Sequence, residues 1–270
     1  MAGHGARTCI FCGLTADSRE HLLPEWLQGL FESEEQHVYW REVGGQKTSW
    51  KKKGFTEKTK VVCASCNHGW MSQLETVAKE VLSPAIARSM VPWRFDLQSQ
   101  WVAAEWATKT SYVFQGQNQI APPSRPMLLR MNGKPAPQVS VFLGSHYRAL
   151  RDPGNSVYMQ KPIQAFWEGN DPETAQEFGY LCFLAIGGVS FLIVEHRFDE
   201  YIEIVLGEQT SKMFDKIWPR STREVHWPPE ALMDLELIEP FFLLDSHPRA
   251  LDIRVFEGSR CHQPPFSEAI

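Results

Sequence analysis

Apolar and polar positions follow two different periods along the chain, and the changes of period mark its elements. From Trp70, apolar residues recur at Leu74, Val77, Val81 and Leu82. That is the spacing of one helix face, and it holds until Pro84. Trp101, Ala104, Ala107 and Thr108 predict a second helix over 99–114. Residues 178–194 are almost all apolar but are interrupted by Gly187-Gly188. This predicts two short strands, 178–186 and 189–194, joined by a tight hairpin turn. Residues 138–143 and 201–206 also read as strands, and 209–217 as a short helix. The tail from Trp218 is rich in Pro, Trp and acids, with a helix expected over 230–239. The pattern as a whole is α+β. It divides into an N-terminal module over 1–82, a helical connection over 83–120 and a mixed α+β domain with an antiparallel sheet over 121–270. The Pro-rich segment 121–126 reads as the linker into that domain.

The apolar stretch ends at Glu195-His196-Arg197. It is shorter than the roughly 20 residues a membrane-spanning helix needs. The N-terminus has no apolar core of signal-peptide length. The chain is therefore expected in the cytoplasm, away from membranes, in a reducing compartment where clustered thiols point to metal rather than to disulfides. With 270 residues, 43% hydrophobic and 22% charged, the composition is that of a globular protein.

Four of the six cysteines form two Cys-x-x-Cys knuckles, Cys9-Ile-Phe-Cys12 and Cys63-Ala-Ser-Cys66, and Gly13 follows the first. A turn between paired thiols lets both sulfurs face one ion. Two knuckles make a closed tetrahedral set for zinc, with no open position for chemistry, so this zinc is expected to be structural. The knuckles are far apart in sequence and must be joined by the fold between them. Cys182 reads as a core residue, and the Cys261-His262 dipeptide as incidental.

Close to the knuckles lie Glu20-His21 and, directly after Cys66, Asn67-His68. Carboxylate and amide oxygens suit hard cations such as magnesium or manganese. A neutral imidazole is a natural base for water near pH 7. The set has the chemistry of metal-assisted phosphodiester hydrolysis. Plainer roles exist for the same residues. Glu20 to Pro24 can form a helix approach with Pro24 at the first helical position and Glu25 favouring the dipole. Asn67 can cap a helix, and Ser72-Gln73-Leu74-Glu75 reads as a capping box.

Taken together, Cys9-x-x-Cys12, Glu20-His21-x-x-Pro24-x-Trp26-Leu27 and Cys63-x-x-Cys66-Asn67-x-Gly69-Trp70-Met71 resemble the HNH endonuclease family with four zinc cysteines. The resemblance covers residues 9–80. It implies a treble-clef-like ββα-metal module in which the acidic-His pair ends the first strand and the second knuckle opens the helix. By this resemblance His21 activates water, and Glu20 and Asn67 hold a catalytic divalent ion, Mg2+ or Mn2+, separate from the zinc. The chain departs from the family at three points. Its acid is Glu rather than Asp, no Asn lies between Leu22 and Val62, and Trp70 stands at the late His or Lys position. His68 is the nearest substitute for the missing ligand.

Charge distribution adds a partner. The net charge of −5 argues against coating nucleic acid through overall charge. Residues 1–70, however, hold nine Lys/Arg against eight Asp/Glu, so the acid excess belongs to the remainder. Lys47, Lys51, Lys52, Lys53, Lys58 and Lys60, interleaved with Trp50 and Phe55, read as a lysine-rich loop between strands that contacts DNA phosphates. The bland reading is a solvated hairpin. Trp93, Trp101 and Trp106 read as core rather than as a base-stacking platform. His146, His196, His226 and His247 carry no motif. The expected function is a metal-dependent DNA endonuclease. The alternatives are a catalytically weak zinc module that binds nucleic acid or protein, and an interaction protein whose zinc only orders the N-terminus.

Overall fold

The computed structural model describes residues 7–31, 36–43, 46–53, 55–87, 91–118, 138–146, 156–165, 176–196, 202–219, 223–232 and 251–255. The Pro-rich segment 121–126, His247, and Cys261-His262 lie outside them. The fold is mixed α+β, with many strands and few helices.

The first knuckle leads into strand β1 (Ser18–His21), which pairs antiparallel with β4 (Lys58–Val62). Between them stand a short 3-10 helix, Glu25–Leu30, and a hairpin of β2 (Gln36–Val43) and β3 (Gln46–Lys53). Pro24 precedes the 3-10 helix rather than occupying its first position, and Glu25 lies in its first turn. After β4 the chain turns into α1 (Ala64–Cys66), passes a π-type turn at Asn67–Met71, and continues as α2 (Ser72–Ala87). The backbone leaves helical geometry at Gly69.

Three expectations change here. The helix does not stop at Pro84. It runs to Ala87, because a proline in the last turn removes one hydrogen bond while Leu82, Ala85 and Ile86 remain buried around it. The buried stripe is Leu74, Ala78, Leu82 with Ala85 and Ile86, whereas Val77 is exposed. Ser72 has helical backbone angles, so the capping box over 72–75 does not form, and Glu75 is used elsewhere.

Next come β5 (Trp93–Phe95) and α3 (Leu97–Gln117). Asp96 caps α3, its carboxylate accepting from the Ser99 N–H at 2.7 Å. This starts the helix two residues before the expected Ser99. Trp106 is fully buried and Trp101 half-buried, but Trp93 is exposed on β5. The core expectation therefore fails for Trp93, whose strand belongs to a two-stranded sheet with β12 (Val225–Trp227).

A five-stranded antiparallel sheet follows. Its strands are β6 (Val139–Ser145), β7 (Ser156–Ala165), β8 (Gln176–Ile186), β9 (Val189–His196) and β11 (Phe214–Trp218), in the order β11-β6-β9-β8-β7. The Gly187-Gly188 hairpin expected from sequence is β8–β9, and every residue from Gly179 to His196 is buried. Cys182 is fully buried in it, and burial pushes its thiol up to about 11. The short helix expected over 209–217 is instead α4 (Glu208–Ser211) followed by strand β11. Residues 230–232 are not helical, and the rest of the helix expected at 230–239 lies outside the described residues. Strand β10 (Ile202–Leu206) pairs with β13 (Leu251–Val255).

Helix α3 packs against α2, β4 and β5 and also against β6, β8, β9 and β11. One hydrophobic cluster consequently runs from Cys9 to Trp227. His146 and His196 are buried in this part of the fold, and His226 is exposed. Nδ1 of His146 lies 2.8 Å from the Ser190 hydroxyl.

The hairpin turn is seated on the end of α2. Gly187 has φ +55°, and a Cβ there would lie 2.5 Å from the Ile86 carbonyl oxygen. Gly187→Ala therefore meets both a left-handed backbone and a backbone contact. The substitution is expected to cost about 1–3 kcal/mol, read as a lower urea midpoint at unchanged slope.

Candidate metal centre

The four knuckle sulfurs, Cys9, Cys12, Cys63 and Cys66, lie within 4.8 Å of one another. Sequence spacing predicted this set, and the fold joins its halves through backbone. The Ile10 N–H donates to the Val61 carbonyl at 3.0 Å, tying the first knuckle to β4 just before the second. Gly13, at φ +76°, closes the first turn, its N–H donating to the Cys9 carbonyl at 2.8 Å. Cys63 caps α1, its sulfur accepting from the Cys66 N–H at 3.4 Å. Cys12 and Cys63 sulfurs are 3.5 Å apart.

A tetrahedral zinc bound at about 2.3 Å sets its sulfurs roughly 3.8 Å apart, so this donor set fits an ion such as zinc. Its thiol chemistry agrees. Burial raises Cys12 and Cys66 above the ordinary thiol range. For Cys63 the burial effect is outweighed by the Cys66 amide and the neighbouring thiols, and its pKa falls. Four crowded thiols of which two resist ionisation become thiolates together when a cation neutralises them.

The strand pair next to the tetrad positions the other candidates. In β1 and β4, Glu20 is opposite Thr59 and His21 is opposite Lys58. Successive strand residues leave opposite faces. Glu20 and Thr59 accordingly point inward and are buried, while Lys58 is exposed and His21 half-buried. Burial, then the nearby Lys58 ammonium, hold the His21 imidazole below its ordinary pKa, which favours the neutral base. The Asn67 side-chain N–H2 donates to the Ser18 hydroxyl at 2.9 Å and to the Arg19 carbonyl at 3.1 Å. Asn67 is therefore fastened to the strand that carries Glu20 and His21, and the cap of this helix is Cys63 instead. His68 is exposed, near enough to Glu20 to affect its ionisation. Trp70 packs edge-on against Phe11 of the first knuckle, with ring centroids 5.0 Å apart. Its place in the module is that of a packing residue.

The lysines do not form a loop. Lys47, Lys51, Lys52 and Lys53 belong to β3, and Lys58 and Lys60 to β4. The side chains of Lys51, Lys58 and Lys60 are exposed. Those of Lys47, Lys52 and Lys53 lie outside the described residues.

Behind Glu20 is a group that sequence reasoning missed. Lys109 of α3 is almost completely buried, and its ammonium lies 3.3 Å from Glu20 Oε1 and in direct contact with Glu75 Oε1. Glu75 Oε2 also accepts from the Trp26 indole N–H at 2.7 Å and the Trp106 indole N–H at 3.0 Å. Burial lowers the Lys109 pKa, but Glu75 and Glu20 outweigh it and the net direction is upward. For Glu20, burial is the largest effect, and its pKa rises despite Lys109. Both directions are consistent, since two carboxylates share one ammonium and Glu75 has the closer contact. The signal that pointed to Lys109 was faint: a lone lysine in the run Ala104 to Phe114, whose other charged residue is Glu105.

Oxygen donors of Glu20 and Asn67 are chemically suited to magnesium or manganese. As arranged, the Glu20 carboxylate has the Lys109 ammonium beside it, and a second ion at that carboxylate would have to compete with this charge. Among the described residues, the cysteine tetrad is the grouping of metal-ligating His, Cys, Asp and Glu side chains close enough to hold an ion. No helix among them is long and apolar enough to cross a membrane. Comparisons with protein-family models, with curated proteins and with solved structures give no match to this chain.

Proposed function

We propose that the first third of the chain is a treble-clef-like HNH module and that the protein is an endonuclease hydrolysing phosphodiester bonds in DNA. The observation that carries this reading is the hydrogen bonding of Asn67 to β1, which draws the residue after the tetrad against the strand bearing Glu20 and His21. The order of knuckle, strand pair and helix-opening knuckle supports the treble-clef part. In the reaction, neutral His21 takes the proton of the attacking water as its oxygen bonds to phosphorus, while the P–O bond to the leaving sugar oxygen breaks and that oxygen takes a proton from solvent. Exposed Lys51, Lys58 and Lys60 offer contacts to backbone phosphates and, having no base-reading geometry, favour loose sequence preference. Magnesium or manganese, were it held by Glu20 and Asn67, would supply charge stabilisation at the phosphate and leaving oxygen.

The test compares the zinc-loaded chain with His21→Ala on supercoiled plasmid, with and without Mg2+ or Mn2+. Loss of nicking by about 100-fold or more in the variant is the expected result for a general base. Equal nicking by the two proteins rejects His21 in that role.

The Lys109–Glu20 pair favours a second reading, a zinc module that binds nucleic acid without cutting it. Retention of duplex DNA in a mobility-shift assay, without nicking in any divalent metal, selects that reading.

A further inference from the structure

We infer that Lys109 is the resident cation of Glu20, and that a divalent ion gains this carboxylate only in exchange for the lysine ammonium. The inference deepens the nuclease reading at one point, the identity of the positive charge beside the acid. Its test does not read cleavage.

Three observations carry it. First, Lys109 is supplied by α3, outside the stretch that resembles a nuclease motif, and reaches Glu20 across 89 positions of sequence. Its side chain is 1% exposed. An ammonium taken so completely from water needs permanent counter-charge, and the two carboxylates provide it. Second, both oxygens of Glu75 are already engaged. One meets Lys109 and the other accepts from both indoles, so Glu20 is the second carboxylate of an ammonium that Glu75 already holds. Third, the charges exclude joint occupancy. Glu20, Glu75 and Lys109 together carry one net negative charge. Adding a divalent ion with the lysine in place leaves one net positive charge, with two cations side by side in a buried site. Removing the lysine leaves two carboxylates, which a divalent ion balances. Lys109 is thus a positioning residue that holds Glu20 against the body of the fold.

Manganese binding to the zinc-loaded full chain, followed by the loss of the free Mn2+ electron paramagnetic resonance signal, tests this. Lys109→Met is expected to bind Mn2+ at least tenfold more tightly than the natural chain, and Lys109→Met with Glu20→Gln to lose the gain. Lys109→Arg, which keeps the charge, is expected to bind as weakly as the natural chain. Unchanged zinc content and a cooperative melt show that each variant folds. Glu20→Gln alone supplies a check that does not need Lys109→Met to fold. With the lysine resident, it should leave Mn2+ binding unchanged. Loss of a Mn2+ site in Glu20→Gln, or equal affinity of Lys109→Met and the natural chain, overturns the inference. Absence of nicking leaves these outcomes unaffected and bears on the nuclease reading alone.

Discussion

Replacing Cys9, Cys12, Cys63 and Cys66 together with Ser is expected to unfold the N-terminal third, not to loosen it. The apparent free energy of a structural zinc site is on the order of 10–16 kcal/mol and is coupled to folding. That is comparable to the whole stability of a typical domain, about 5–15 kcal/mol. Here the coupling is direct, because Cys9, Cys63 and Cys66 are themselves members of the hydrophobic cluster. Elemental analysis should find about one zinc per natural chain and less than a tenth of that in the fourfold variant. The variant's melt should lose its cooperativity or shift downward by more than 10 °C. Cys182→Ser is the control. Its thiol is not part of the tetrad, so zinc should stay at the natural level. Zinc retained by the fourfold variant would remove the ligand assignment.

The second large effect is expected at Glu75. Its carboxylate accepts from Lys109, Trp26 and Trp106 at once. Glu75→Leu leaves a buried ammonium with Glu20 as its remaining partner and strands two indole donors. Breaking a buried ion pair from one side costs about 3–5 kcal/mol. For a chain of this size that is a fall in melting temperature of roughly 6–20 °C. Glu75→Gln, which still accepts from an indole but lacks the charge, should fall between the natural chain and Glu75→Leu. Equal melting of Glu75→Leu and the natural chain would mean that the ammonium finds other compensation.

How far the sequence could be read depended on the range of the interaction involved. The tetrad was legible because two short spacings each carry the geometry of a pair of ligands. The β8–β9 hairpin was legible because a turn signal divides a continuous apolar run. Strand β11 was not, since a register shift between Lys216 and Trp218 interrupts its alternation. Its buried residues, Phe214 and Ile217, are then three apart, which is helix spacing. Strand β7 holds Pro162, which is tolerated because the strand is at the edge of its sheet. Lys109 was hidden for a different reason. Nothing local separates a buried lysine from a solvated one on a helix; the carboxylates that hold it come from positions 20 and 75. The capping box at 72–75 misled for the same reason, as the acid that fits a local motif is used over a longer distance.

Helix α3 also bears on how this protein can be taken apart. Residues 9–80, which hold both knuckles, Glu20 and His21, end before α3 begins, so they have the outline of a portable cassette. A fragment cut after Ala87 would carry Glu20 and Glu75 away from Lys109, and Trp26 away from Trp106. Grafting residues 9–80 onto another scaffold would transplant the thiols and the imidazole but not the charge balance around them. For protein engineering and for recombination between genes, the smallest exchangeable unit is therefore the motif together with the helix that follows it.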